Sequence, residues 1–186
     1  SGLTPFLPTE QVVQPGRKLL EHRPVVVGSG PAGLFAAFLL AREGYCPIVV
    51  ERGAPVEGRQ KDVVRLWEEG ELDEESNVQF GEGGAGTFSD GKLTSRSKDP
   101  RASFVLETFC EMGAPEDIAW TAKAHIGTDC LAGVLQRMRA YIQGKGGRFL
   151  FHSKVVGLTV KNGALTGLRL MGDQEGDLAT QQCVLA

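Results

Sequence analysis

A short apolar strand that runs into a glycine-rich turn and then a helix constrains this chain more than any other feature. Val25–Val27 is β-branched throughout, as expected for a parallel strand buried on both faces. The turn at 28–33 (GSGPAG) follows, and residues 32–42 are strong helix formers that end before Gly44. Ile48–Val50 predicts a second buried strand. The order strand, tight turn, helix, strand predicts a βαβ unit.

The turn has the spacing G-x-G-x-x-G, and each glycine has a physical role in binding a dinucleotide. Gly28 allows the chain to turn sharply off the strand, Gly30 has no side chain to block a pyrophosphate, and Gly33 allows close packing of helix on sheet. The helix N-terminus offers free N–H groups and about half a unit of positive charge. Pro31 and Ala32 form its first turn, where the missing N–H of proline costs little. These five residues are predicted to bind a diphosphate.

The same spacing occurs a second time, at 81–86 (GEGGAG). This match is predicted to lie in a loop, with no strand before it and no helix after it, so we do not interpret it as a second fingerprint. Glycine makes up 25 of the 186 residues, about twice the ~7% of average proteins. That excess favours a backbone that lies close to a ligand.

An acidic residue stands where a ribose is expected. Glu51 follows the second strand, 23 residues after Gly28. A carboxylate there can accept hydrogen bonds from both ribose hydroxyls of an adenosine and would repel a 2′-phosphate. The residues therefore predict an adenosine diphosphate ligand, but they do not separate NAD from FAD, because both carry this group.

The remaining chain is predicted to add helices, a hairpin and a further strand to this unit. We expect helices at 56–69, 101–112 and about 128–143 (capped by Thr128 or Asp129), a loop at 76–98, strands at 148–151 and near 182–186, and a hairpin of 154–161 and 164–171 around Asn162-Gly163. Residues 1–24 are interpreted as an arm or linker. Residues 25–186 are expected to form one domain with an insert at about 54–147.

Composition excludes several classes of function. A net charge of −3 gives no electrostatic case for nucleic acid or an acidic membrane surface. The longest apolar run, near 34–41, is far shorter than the ~20 residues of a membrane span. The four cysteines form no C-x-x-C pair, and the three histidines form no metal-spaced cluster. Scattered cysteines without a signal peptide favour a cytoplasmic location.

Several motifs carry a resemblance to known flavoproteins. The turn together with 50–53 (VERG) resembles the FAD-binding turn of the glutathione-reductase-type flavoproteins. Over about 25–186 the chain is similar to the bacterial FAD-dependent dehydrogenases, also called NAD(FAD)-utilising dehydrogenases. The motifs that carry this similarity are 76–93 (SNVQFGEGGAGTFSDGKL), Arg59 with 61–63 (KDV), and 125–129 (HIGTD).

The resemblance implies an α/β, Rossmann-like FAD-binding domain with a parallel sheet, a helical and loop insert, and a β-hairpin or meander crossover. It extends the cofactor-binding set beyond the turn and Glu51. The added residues are Arg52, Arg59 at the pyrophosphate, Gly83, Gly84, Ala85, Gly86 and Thr87 near the flavin and ribityl chain, and Val155 at the adenine. Related flavoproteins continue past the last strand with a further cofactor segment, so the domain is expected to be incomplete at its C-terminus.

Redox chemistry on a flavin needs little from the protein beyond positioning and electrostatics. Lys92 is the candidate cation for the negative charge that develops on the ring, and His125 is the candidate proton donor. The resulting hypothesis is an FAD-dependent oxidoreductase that transfers hydride between FAD and NAD(P)H or an unidentified small organic substrate. The alternatives are a non-catalytic flavin-binding module and, less favoured by the turn and the large insert, an NAD-dependent dehydrogenase.

Overall fold

The computed structural model describes residues 14, 16, 19–89, 91–93, 99, 101–121 and 124–186. Most of the expected arm at 1–24, and residues 90 and 94–98 of the expected loop, lie outside this description. Four α-helices and nine β-strands form within the described part: β1 Val25–Val27, α1 Pro31–Arg42, β2 Ile48–Val50, α2 Val56–Glu69, β3 Lys92–Leu93, α3 Arg101–Glu111, β4 Ala124–His125, α4 Thr128–Gly144, β5 Arg148–Leu150, β6 Ser153–Lys161, β7 Ala164–Gly172, β8 Gly176–Ala179 and β9 Cys183–Leu185. None of the described helices has the length and hydrophobicity that crossing a bilayer requires.

A four-stranded parallel sheet in the order β5-β2-β1-β9 forms the centre of the fold. Its two middle strands are the apolar runs of the βαβ unit, and Val25, Val26, Val49 and Val50 are all buried. Because both faces of these strands are covered, β-branched residues without alternation are what the position requires. The α/β class with a parallel sheet is therefore confirmed.

One face of this sheet is covered by an antiparallel sheet in the order β6-β7-β8. Leu168 and Leu170 of β7 are buried against Val25, Ile48 and Val50. Asn162 and Gly163 have φ of 51° and 77°, as the two-residue hairpin turn requires. The hairpin is thus confirmed. Strand β8 was not expected, because its sequence GDLA carries no strand pattern and only pairing with β7 defines it.

The other face of the parallel sheet is covered by helices. Leu34 and Phe38 of α1 share one core with Val134, Met138 and Ile142 of α4. The predicted start of α4 is wrong in one detail, since its N-cap is Gly127 and no side chain caps the helix. The expected loop at 76–98 also contains a 3-10 turn, Ala85–Phe88, and the short strand β3, which pairs with β4.

The turn between β1 and α1 is as close-packed as its glycines imply. Gly28 has φ of 99°, a conformation that favours glycine. A β-carbon on Gly33 would lie 2.0 Å from the carbonyl oxygen of Gly28. This contact holds the first turn of α1 directly against the end of β1.

We expect Gly33→Ala to lower the free energy of unfolding by about 3 kcal/mol, because its methyl group would overlap backbone that cannot move aside. Gly144→Ala is the control, since a β-carbon at that helical position meets nothing within 4 Å. Urea denaturation followed by circular dichroism measures both. Equal stability of the two variants would contradict the expected clash.

Candidate functional site

Two cavities adjoin the N-terminus of α1. The more polar of the two, called the polar cavity, has a volume of about 370 Å³ and lies at the carboxyl ends of β1 and β2. Its lining includes Gly28, Gly30, Glu51, Arg52, Gln79, Phe80, Gly81, Gly84, Lys154 and Val155. The apolar cavity, about 480 Å³, is lined mainly by α1, α3 and α4, including Pro31, Ala32, Leu34, Phe35, Gly83, Gly86, Lys92, Phe109, Leu131, Leu135 and Met138. The glycine-rich turn thus contributes to the first cavity and the first helical residues to the second.

The tip of α1 is open. Its N-cap is Gly30, and no side chain bonds to the first-turn amides. Pro31 and Ala32 are exposed, and a β-carbon on Gly30 would meet no atom within 4 Å. The amides of Ala32 and Gly33 are among the N–H groups that an α-helix cannot satisfy internally. The arrangement can therefore receive an anion such as a diphosphate.

Glu51 is buried, and the backbone around it sets the direction of its carboxylate. Its Oε2 accepts hydrogen bonds from the amide and the hydroxyl of Ser29, both at 2.7 Å, and its Oε1 accepts one from the amide of Gly53 at 2.9 Å. A carboxylate has about four acceptor positions, so about one is left for a ligand in the polar cavity. The sequence predicted that the carboxylate would hold two ribose hydroxyls, and this role stays a prediction.

Arg59 lies in a different place from the one that the resemblance implies. It is fully buried and contributes to the lining of neither cavity. Its guanidinium donates to the carbonyls of Asn77 (2.7 Å), Val78 (2.9 Å), Glu82 (2.8 Å) and Gly84 (2.7 Å). Burial lowers the pKa of Arg59 to about 10, although nearby carboxylates oppose this shift. Arg59 therefore shapes the loop at 77–84 from inside, and the structure does not bring it to a pyrophosphate position.

The second glycine-rich segment packs on the first. The amide of Gly83 donates to the carbonyl of Ser29 at 2.8 Å. A β-carbon on Gly84 would lie 3.2 Å from Cδ of Pro31, and one on Gly83 would lie 2.4 Å from Cδ1 of Leu135. Gly84 lines the polar cavity, whereas Gly83 and Gly86 line the apolar one. The second match is thus a partner of the helix tip and not a second fingerprint.

The other two predicted residues of this segment are placed differently. Thr87 is buried, and its hydroxyl points to the carbonyl of Glu82 at 3.5 Å. Ala85 is exposed and lines neither cavity. The structure therefore brings Gly83, Gly84 and Gly86 to the site but not Thr87 or Ala85.

The two candidate catalytic residues are neighbours across a strand pair. Lys92 of β3 is directly opposite His125 of β4. Both residues are exposed, and Lys92 lines the apolar cavity. Pairing of β3 with β4 therefore brings Lys92 and His125 next to each other, which their separation in the sequence does not indicate.

Charged and aromatic side chains surround the outer part of the polar cavity. The guanidinium of Arg52 lies 3.9 Å from the ring centre of Phe80 and forms an ion pair with Glu75. Lys154 forms an ion pair with the same carboxylate at 2.9 Å. The hydrogen bond from Lys154, and then that from Arg52, lowers the pKa of Glu75 below its usual value. Val155, next to Lys154, lines the same cavity, and its contact with an adenine stays a prediction.

Glu82 is a buried carboxylate that sequence reasoning missed. Its Oε2 accepts hydrogen bonds from the amide of Val56 (2.8 Å) and from Arg139 (2.9 Å), and its Oε1 has no partner. Burial raises the pKa of Glu82 to about 7, although both of these donors oppose the rise. A glutamate between loop glycines normally indicates exposure, so the sequence carries no signal for this role. Glu82 caps α2 from outside the helix.

We expect Glu82 to make folding pH-dependent. In the folded state the carboxyl group of Glu82 has a pKa of about 7, whereas an ordinary glutamate has a pKa of 4.5. Between pH 4.5 and pH 7 the folded state therefore binds more protons than the unfolded state does, so the free energy of unfolding falls as pH rises. Relative to Glu82→Gln, the wild type is expected to lose up to about 3 kcal/mol between pH 4.5 and pH 7.

Urea denaturation at several pH values measures this difference. Glu71→Gln, a change at an exposed residue, is expected to keep the wild-type slope. A constant difference between wild type and Glu82→Gln across this pH range would show that Glu82 keeps an ordinary pKa.

Comparison with known proteins agrees with the local fold. Residues 26–78 match the family described as NAD(P)-binding Rossmann-like domain. An uncharacterized protein of Clostridium beijerinckii is 52% identical over 160 residues, which cover 86% of this chain and 30% of the relative. The chain thus spans about a third of the length of the curated relative it matches.

Solved structures share the fold at low sequence identity. L-proline dehydrogenase from P. horikoshii is 14% identical with a TM-score of 0.58, over 89% of this chain and 52% of that one. A geranylgeranyl bacteriochlorophyll reductase-like protein from Thermoplasma acidophilum is 14% identical with a TM-score of 0.52, over 89% and 38%. The glycine-rich turn and Glu51 lie within the residues that match the NAD(P)-binding Rossmann-like family, and the four-stranded parallel sheet has the Rossmann-like arrangement.

Proposed function

We propose that this chain is the FAD-binding domain of an FAD-dependent oxidoreductase, which transfers hydride between FAD and NAD(P)H or a small organic substrate. The observation that carries the proposal is the open tip of α1, with the Glu51 carboxylate on one side and an apolar cavity adjoining its first residues. In this proposal the domain comprises 25–186, with 54–147 as its insert.

The residues present suit the three chemical parts of such a cofactor. The polar cavity offers the remaining acceptor position of Glu51 to a ribose hydroxyl. The space at Gly30 would be filled by any β-carbon, and the helix amides beside it suit a diphosphate. The apolar cavity, with side chains such as Leu34, Phe35 and Phe109, suits a large aromatic ring. The proposed order along the ligand is therefore adenosine, diphosphate and ring.

A nicotinamide dinucleotide is the second candidate, and the family match favours it directly because that family is described as NAD(P)-binding. Both ligands share the adenosine diphosphate that the turn and Glu51 would hold. The apolar cavity supports FAD, because its volume of about 480 Å³ and its mostly apolar side chains suit a large ring system better than a nicotinamide with its polar amide group. The similarity of the loop at 76–93 to FAD-dependent dehydrogenases supports FAD as well.

Bound FAD would supply the hydride-accepting group. The part of this chain would be to position that group and to provide charge and protons near it. Lys92 lines the apolar cavity and would stabilise negative charge on the ring, and the cross-strand neighbour His125 would hold or donate a proton beside it. The similar folds of a dehydrogenase and of a reductase-like protein support an oxidoreductase role.

A titration of the purified chain with FAD tests the proposal. Binding is followed by quenching of flavin fluorescence, and ADP is expected to compete because it shares the adenosine diphosphate. The full-length protein is then reduced anaerobically with NADH, NADPH or dithionite. Bleaching by a nicotinamide supports the oxidoreductase, and bleaching by dithionite alone supports a non-catalytic flavin module. Tight binding of NAD with no binding of FAD would overturn the proposal.

We expect Gly30→Ala to weaken binding of FAD and ADP by at least about tenfold without lowering stability, because the methyl group meets no protein atom but occupies the path of the diphosphate. Gly144→Ala serves as the matched control, with binding unchanged and stability not lowered. Fluorescence titration and urea denaturation give the two readouts. Unchanged affinity in Gly30→Ala would mean that the diphosphate does not approach this turn.

A further inference from the structure

Three charged side chains form one cluster beside the polar cavity. Arg52 and Lys154 both line the cavity that contains Glu51. Glu75 forms an ion pair with each of them, through Oε2 to Arg52 and through Oε1 to Lys154. The carboxylate of Glu75 is thus paired with both cations. These cations are the sequence neighbours of Glu51 and Val155, the proposed ribose and adenine contacts.

The position of Glu75 is set by the backbone that carries it. The carboxylate of Asp73 accepts the amides of Glu75 (2.8 Å) and Ser76 (3.0 Å), and Arg59 holds the carbonyl of Asn77 from below. Arg52 is held at the same time by the carbonyl of Glu74 at 3.2 Å and by the face of Phe80. The cluster is therefore built into the fold of the loop, although its side chains are partly exposed.

Charge at this place bears on which adenosine the cavity accepts. A 2′-phosphate on the ribose carries about two negative charges, and Rossmann domains that accept one use an arginine near the acidic position. Arg52 directly follows Glu51 and has the right chemistry for that contact. With Glu75 paired to both cations, Glu51 and Glu75 balance Arg52 and Lys154, so no net positive charge is available there.

We propose that Glu75 is a specificity-determining residue that keeps Arg52 and Lys154 from accepting a phosphate, and so restricts the polar cavity to adenosine nucleotides with an unmodified 2′-hydroxyl. The inference rests on the proposed adenosine site. It adds Glu75 to Glu51 as a second residue that disfavours a 2′-phosphate on the ribose. Removing the charge of Glu75 would release both cations toward the cavity. Because the ion pairs are partly exposed, their loss should not unfold the chain.

Isothermal titration of the purified chain with ADP-ribose and with 2′-phospho-ADP-ribose tests this inference. Wild type is expected to prefer ADP-ribose by about tenfold or more, the effect of one charged contact. In Glu75→Gln we expect this preference to fall by about tenfold, through tighter binding of the phosphorylated probe. Glu74→Gln changes the same charge one residue away and should keep the wild-type preference. In Glu75→Gln combined with Arg52→Gln the preference should return.

The possible failures are distinguishable. If wild type binds neither probe, the proposed adenosine site is wrong. If wild type binds ADP-ribose and Glu75→Gln keeps both its affinity for that probe and the wild-type preference, the site stands and the role of Glu75 is overturned. Binding of ADP-ribose by each variant also shows that it is folded. The gain in Glu75→Gln should shrink in ~1 M salt, where screening acts over about 3 Å; a gain unaffected by salt would contradict an electrostatic role.

Discussion

The hydrogen bonds between Glu51 and Ser29 are the interactions on which the site depends. They join the end of β2 to the turn that follows β1, so two neighbouring strands share one buried carboxylate. The turn then starts α1 at the angle that leaves its tip open beside Glu51. Burying a charge is costly unless hydrogen bonds replace water, and the amides of Ser29 and Gly53 provide them.

Two other buried ionisable side chains build the loop that completes both cavities. Arg59 donates to four loop carbonyls, and Glu82 accepts from the start of α2 and from Arg139 of α4. Glycine-rich segments lose much entropy on ordering, so a fixed conformation at 77–84 needs such contacts. Neither side chain contributes to the lining of the polar or the apolar cavity. Their role is to hold Gly83 and Gly84 against the tip of α1.

The arrangement of groups around the helix tip gives the proposed function its physical basis. The backbone at this tip would supply the donors for a diphosphate, and the carboxylate of Glu51 would face the sugar. Apolar side chains of three helices line the neighbouring cavity. Arg52 and Lys154, both paired with Glu75, line the polar cavity, whereas Lys92, which lies opposite His125, lines the apolar cavity. In the proposed function, the residues that select the ligand would thus lie at one cavity and the residues that act in the chemistry would lie at the other.

The sequence by itself determined the βαβ unit, the hairpin and the first glycine turn, because local patterns of apolar, turn-forming and helix-forming residues specify them. Position 51 followed from its distance to that turn. Only the tertiary structure decided the roles of Arg59, Glu75 and Glu82, since charged residues in loops look alike until the chain brings their partners from distant segments. The pairing of Lys92 with His125 and the strand β8 arose in the same way. Long-range contacts, not local propensity, fix where a charge is buried or paired.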